Sequence, residues 1–329
     1  MTCHPRFVCK LIGTPSAPTA HRYRRSYAHS LSGSLILPES VDSLEPAIWS
    51  NPMQERGICL VNNTIAIIGF DSAWANNAPG AICALVASPA GVVDFKPPEL
   101  VHFDEALAFI EKEGGLYDLC LIAVDQPTIV PNMIGCRPVD RVAASVISFI
   151  GGGVQPANRS RQGLFDDDAP FWRFKSRVKA REDPEQSRSA GSGRFIIEVF
   201  PALALATFNS AFFGRLRGPK YNPANKRKFR PDDWIAVVET VGRHAQLAGI
   251  IGIEAWAKET KSISSFRKAD QDRLDAVLCA LVGYQWRMKP RENSIMVGDL
   301  TSGYMIAPTN LATRERLQKA AAKHNVACA

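Results

Sequence analysis

The stretch TIAIIGFDSAW, residues 64–74, decides how this chain is read. From Ile65 to Phe70 it is apolar apart from one glycine, and then it places a carboxylate, Asp71. So short and apolar a run predicts a buried strand. An Asp after such a strand either opens a turn or forms one corner of a charged site at a sheet edge. Which holds depends on whether the rest of the sequence supplies the other corners.

Two further acids stand in comparable places. YDLCLIAVDQP predicts another buried strand closing on Asp125, with Pro127 blocking its continuation. In RFIIEVFPA, Phe195, Ile197 and Val199 share one face of a strand, while Ile196, Glu198 and Phe200 share the other. A carboxylate among such neighbours is costly to desolvate unless something pairs with it. DRLDAVLCALVGY then predicts an amphipathic helix, with Asp272 and Asp275 spaced i, i+3 beside its apolar stripe. Taken singly, Asp71 and Asp125 read as turn formers, Asp272 and Asp275 as complements to a helix dipole, and Glu198 as the partner of a loop Arg. Taken together, the recurrence after buried strands and at the head of an apolar helix points to a shared site. Oxygen ligands with few histidines suit Mg²⁺ or Mn²⁺, and two such ions would serve phosphodiester hydrolysis without a nucleophilic side chain.

The remaining elements give an α/β chain. GAICALVA and VVDFK complete a three-strand meander joined by short turns. FDEALAFIEKEGG predicts a helix with Asp104 as N-cap, and RPVDRVAASVISFIGGG a helix with Pro138 in its first turn. PDDWIAVVETVGRHAQLAGI predicts another helix, IMVGDLTSGYMIA a closing hairpin, and residues 312–329 a helical tail. The expectation is a mixed five-stranded sheet flanked by helices, within a catalytic domain spanning 59–311. Residues 151–193 are expected to form a basic, irregular insertion.

Residues 1–58 form a basic leader without an acidic residue before Glu39. The leader reads as a disordered extension, with translation starting at Met53, or as a transit-like segment. Eight cysteines without a CxxC pair, several inside apolar runs, imply free thiols in a reducing, cytoplasmic compartment. Only His102 and His244 lie between residues 60 and 300, which argues against zinc. The stretch 72–93 is broken by Asn and Pro, so no membrane span is expected.

Charge is unevenly placed. The 329 residues carry a formal net charge of +7. Residues 151–230 alone hold 16 Lys and Arg against 7 Asp and Glu. Lys220, Lys226, Arg227 and Lys228 fall in the densest cluster, and Phe171, Trp172, Phe174 and Tyr221 lie near these basic runs. Such a surface is expected to follow a phosphate backbone and stack bases, or else it is a solvated loop. No G-x-x-x-x-G-K-[ST] motif is present, which argues against a P-loop NTPase.

With these residues assembled, the chain resembles the ribonuclease H-like superfamily, whose fold opens on a three-strand meander and carries acids on its first strand, its fourth strand and a late helix. It is most similar to a group of predicted nucleases in that superfamily, domain of unknown function 429. The matching pieces are GFDSAW, IAVDQP, CRPVDRVA, IIEVFPALAL, DRLDAVLCALVGY and GDLTSGYMIAP, in order between residues 64 and 308. The resemblance implies metal-ligand roles for Asp71, Asp125 and Asp275, with Glu198 and Asp272 as further candidates. It places Arg137 and Asp140 at the site edge, where Arg137 would hold a phosphate and Asp140 orient it, or the two would only start a helix. The expected activity is metal-dependent cleavage of DNA or RNA. The competing readings are a non-cleaving nucleic-acid-binding protein and an ATP-dependent phosphotransferase. The superfamily's ATP-using members carry a second Gly-rich hairpin, for which FIGGGVQP, following a helix, is a poor substitute.

Overall fold

A computed structural model describes residues 64–75, 77–88 and 91–329, with the side chains of 91–93 outside the described set. The leader expectation for residues 1–58 lies outside the described residues. The apolar run forms β1 (Ile65–Asp71), every residue of it buried. β2 (Gly80–Ser88) and β3 (Gly91–Val101) follow as an antiparallel meander. β4 (Leu119–Val124) and β5 (Gly193–Glu198) lie parallel to β1 on its other side, so the sheet order is β3-β2-β1-β4-β5. The mixed five-stranded sheet is therefore as expected, except that β3 runs past VVDFK through Pro97 and Pro98. An edge strand tolerates prolines, and the β2 pairing shifts register between Ile82 and Ala84 to pass them.

Helices cover both faces. α1 (Phe103–Phe109) runs into a π-helical turn over Ile110–Gly114. His102 rather than Asp104 caps it, because Glu105 reaches back to accept from the His102 backbone N–H at 2.7 Å. α2 (Pro138–Ile147) opens on Pro138 as expected. The region 151–193 is less irregular than expected, since it holds α3 (Pro170–Val178) and α4 (Pro184–Ser189). α3 buries Phe171, Phe174 and Val178 against Phe70 and Ile196. α5 (Pro201–Phe208), α6 (Pro231–Ala248) and α7 (Ile253–Lys261) precede the long α8 (Lys268–Met288). The β6–β7 hairpin (Ser294–Asp299 and Gly303–Pro308) and α9 (Leu311–His324) close the chain. Among the described residues no helix is long and apolar enough to cross a membrane.

The sheet separates two apolar layers. Ile65, Ile67, Leu121, Ala123 and Ile197 face α6 and α8, while Ala66, Ile68, Phe70, Ile122 and Ile196 face α1 and α3. α8 lies directly on the strands because both surfaces are stripped down. A Cβ built on Gly69 would stand 2.1 Å from the Ala276 carbonyl oxygen and 2.7 Å from the Ala280 Cβ. One on Gly283 would stand 2.9 Å from Ile67 Cγ2. A third apolar cluster joins α2, α5, the hairpin and α9 beyond β5.

Candidate functional site

Pleat and register decide which acids meet. In a strand, alternate residues share a face. Asp71 therefore shares the α8-facing side with Ile65 and Ile67, and Asp125 follows Leu121 and Ala123 on that same side. β1 and β4 pair in parallel with Phe70 opposite Val124, and the Asp125 N–H donates to the Phe70 carbonyl at 2.9 Å. The two Asp thus stand level at adjacent strand ends. Above them α8 brings Asp275, 5% exposed, against Asp71 at 8%. Glu198 pairs opposite Val124, which faces α1 and α3, so the same alternation turns Glu198 to the opposite side of the sheet.

The three aspartates are electrostatically one group. Burial pushes Asp71 and Asp125 well above the usual carboxylate range, and the charge of Asp275 adds to both. Burial likewise raises Asp275 to about 6, against the pull of Lys268 and of hydrogen bonds from Tyr221 and Gln271. Tyr221 donates its hydroxyl to Asp275 Oδ1 at 2.8 Å, and Gln271 Nε2 donates to Oδ2 at 2.8 Å. Asp272 forms an ion pair with Lys268, the first residue of α8. Burial lowers the affinity of Lys268 for its proton, but Asp71, Asp272 and Asp275 together outweigh that and raise it.

The donor set suits a hard cation. No hydrogen bond from the described residues reaches the carboxylate of Asp71 or Asp125. The buried Oε1 of Gln271 is also without a partner. Unpaired carboxylate and amide oxygens, mutually repelling and shielded from water, are what Mg²⁺ or Mn²⁺ takes as ligands. As the side chains stand, however, no group of three or more His, Cys, Asp and Glu among the described residues forms a ready metal shell. The acids are neighbours held apart by like charge, with only Lys268 as a nearby cation.

Asp125, Gln271 and Asp275 line a cleft of about 530 Å³, whose wall also includes Gly151 to Gly153, Lys220, Tyr221, Asn222, Asn225 and Lys228. Asp71 does not line it. Lys220 holds the loop by donating from Nζ to the Gly151 carbonyl at 2.7 Å, and Lys228 is exposed. Lys226 and Arg227 are exposed but stand outside this cleft.

Several expected site residues take other roles. Arg137 is fully buried and donates to Glu198 through Nη1 and Nη2 at 2.9 and 2.6 Å, and to Asp140 through Nε and Nη2 at 3.1 and 2.8 Å. Its fork is filled by protein carboxylates, so it is not free to hold a phosphate, and Asp140 serves the pair and caps α2 by accepting from the Arg137 N–H at 3.1 Å. Glu198 also accepts from the Thr128 N–H at 2.9 Å, and these bonds leave it no place in the aspartate cluster. Phe171 and Phe174, expected to stack bases, are 0% and 1% exposed in the core, and Tyr221 is committed to Asp275. Basic residues of the insertion are partly neutralised internally, as in the Lys175–Glu182 and Arg194–Glu111 pairs. Sequence reasoning missed Lys268 and Gln271, although 268, 271 and 275 repeat at i, i+3 and i+7, one helix face.

Fold and site together define an α/β protein with an acid cluster beside a basic-walled cleft at the ends of its parallel strands. The chain belongs to the family described as protein of unknown function (DUF429), whose profile matches residues 69–295. That span begins two residues before Asp71 and takes in Asp125, Glu198, Asp272 and Asp275. Searches of curated proteins and of solved structures returned no match.

Proposed function

We propose that this chain is a metal-dependent nuclease of ribonuclease H-like type, hydrolysing phosphodiester bonds of DNA or RNA. The observation that carries the reading is the level placement of Asp71 and Asp125 on one sheet face under Asp275, with open carboxylate oxygens. The order of elements supports it: an opening meander, a fourth strand followed by an acid, and a late helix carrying another are the features of the superfamily the sequence resembles.

In this reading Asp71, Asp125 and Asp275 hold the cations, with Gln271 Oε1 as a further oxygen and Asp272 released from Lys268 as a fourth carboxylate. Tyr221 and Gln271 fix the rotamer of Asp275, so that its oxygens are aimed before substrate arrives. When bound there, Mg²⁺ or Mn²⁺ supplies Lewis-acid charge for the phosphodiester. Lys228 and Lys220 add positive charge along the cleft where a phosphate chain would lie. The five free cysteines among the described residues, three of them buried, support a reducing, cytoplasmic setting.

The test is cleavage of a labelled panel of DNA and RNA by the full chain, with Mn²⁺ or with EDTA, beside Asp71→Asn. Metal-dependent cutting lost in the variant is the expected result. Salt-sensitive binding without a metal-dependent product would replace the nuclease reading with a binding protein.

A further inference from the structure

A second, smaller cavity shares Asp125, Gly153 and Phe200 with the main cleft and has a volume of about 170 Å³. Pockets for whole small ligands run from about 300 to 1,000 Å³, so this one admits part of a ligand. Its walls are largely apolar, with Trp74, Val154, Val199, Phe200 and Met305 among them. Trp74 is held in place by donating from Nε1 to the Asp125 carbonyl at 3.3 Å and by packing on Phe165 at 5.2 Å between ring centroids.

The polar groups of this cavity are almost all spoken for. Arg137, Asp140 and Glu198 saturate one another, and Asp140 Oδ2 also accepts from the Ala157 N–H at 3.3 Å. Gln126 is different. It is 0% exposed, its Oε1 accepts from Ser72 Oγ at 2.7 Å, and its Nε2 has no partner among the described residues. A buried amide donor left unpaired is costly, and one oriented from behind by a serine is aimed rather than free to turn. The cavity therefore combines an aromatic wall, room for a single ring and one directed donor, next to an acid of the proposed catalytic cluster.

We propose that this cavity is a subsite for one unpaired nucleobase bearing a ring carbonyl, such as uracil, thymine or guanine, with its phosphate directed to the aspartates. The inference deepens the nuclease reading and rests on it for the nucleic-acid class. It implies that the chain acts on single-stranded or strand-end substrates, because a paired base presents its carbonyl to its partner and does not fit a cavity of this size. Gln126 is a specificity residue here, rejecting cytosine and adenine, whose amino groups would face its own N–H.

The experiment is calorimetric titration of the full chain in EDTA with UMP and with CMP, repeated on Gln126→Met and on Val154→Trp. UMP is expected to bind about tenfold more tightly than CMP, since an unmet buried donor rejects the wrong partner by about that factor or more. Gln126→Met should abolish the difference. Val154→Trp, which fills the cavity from the loop wall without touching Gln126, should weaken both nucleotides, and it keeps the test decisive if Gln126→Met does not fold. Equal affinity for the two nucleotides, binding of neither, or discrimination that survives both variants would overturn the subsite and identify the cavity as hydrated only. The nuclease reading is scored separately by Mn²⁺-dependent cleavage. Cleavage without UMP discrimination removes the subsite alone, whereas discrimination without cleavage removes the nuclease and leaves a nucleotide site.

Discussion

Two acidic groups flank the same edge of the sheet, and they are built on opposite principles. On the α1 and α3 side, Glu198 and Asp140 enclose Arg137, and nearly every lone pair and N–H meets a partner. On the α8 side, Asp71, Asp125 and Asp275 face one another with two carboxylates unanswered by any described residue. Both groups are buried, so burial alone does not separate a scaffold from a site. What separates them is whether the charge is cancelled from within the chain. A closed ion-pair network stiffens the end of β5 and the start of α2, while an open one is strained until something from outside enters it.

The comparison is broken most severely by removing the internal cation. Arg137→Met should cost about 3–5 kcal/mol, because it strands two buried carboxylates, and urea unfolding should show a correspondingly lower midpoint. On the open side the corresponding experiment adds a cation. Mn²⁺ at about 100 times its dissociation constant should stabilise the wild type by about 2.7 kcal/mol, read as a rise in melting temperature that Asp71→Asn lacks. No rise in the wild type would mean that the open group is not a metal site.

Titration offers a finer contrast. Asp275 has its folded pKa raised to about 6 and Asp71 and Asp125 lie higher than usual, so the metal-free folded chain holds protons that the unfolded chain has released. That stabilisation is complete below the ordinary carboxylate range, about pH 4, and is lost as pH rises through 6. His244 has the opposite sign, since burial lowers it to about 4 and its neutral form is favoured as pH rises. The diagnostic is therefore the difference between wild type and Asp275→Asn in EDTA. Wild type should lose more stability from pH 5 to pH 8 than the variant, and equal slopes would refute the coupling. The smallest effect belongs to Tyr221→Phe. Losing a hydrogen bond to a carboxylate should cost about 1–2 kcal/mol and move the Asp275 titration upward, measured by carboxyl NMR.

Much of this fold is written in local pattern. The apolar runs at 65–70 and 119–124, the β2 strand, α8 and the closing hairpin follow from periodicity and turn residues. α3 was hidden because its basic residues mask a three-residue apolar spacing, Phe171, Phe174, Val178. α5 was absorbed into the strand before it, although Pro201 marks its first turn. The strand-end aspartates were legible as candidates, but the exclusion of Glu198 was not. Alternation along one strand is visible in sequence, whereas the parity between two strands depends on register, and register here is fixed by the Val124–Glu198 pairing. Arg137 could not be distinguished from a phosphate ligand for the same reason, because its partner lies 61 positions away.

Gly69 has a consequence for how the site tolerates change. The contact between its Cα and the Ala276–Ala280 turn contains no adjustable side-chain torsion, so it acts as a fixed stop that sets how far α8 slides along β1. Asp71 lies two residues beyond that stop on the strand, and Asp275 sits one residue before Ala276 on the helix. The alignment of the two acids is thus referenced to a single rigid point rather than to the acids themselves. Loops and outer helices can drift in sequence without detuning it, while one methyl group at position 69 would shift both halves of the site at once.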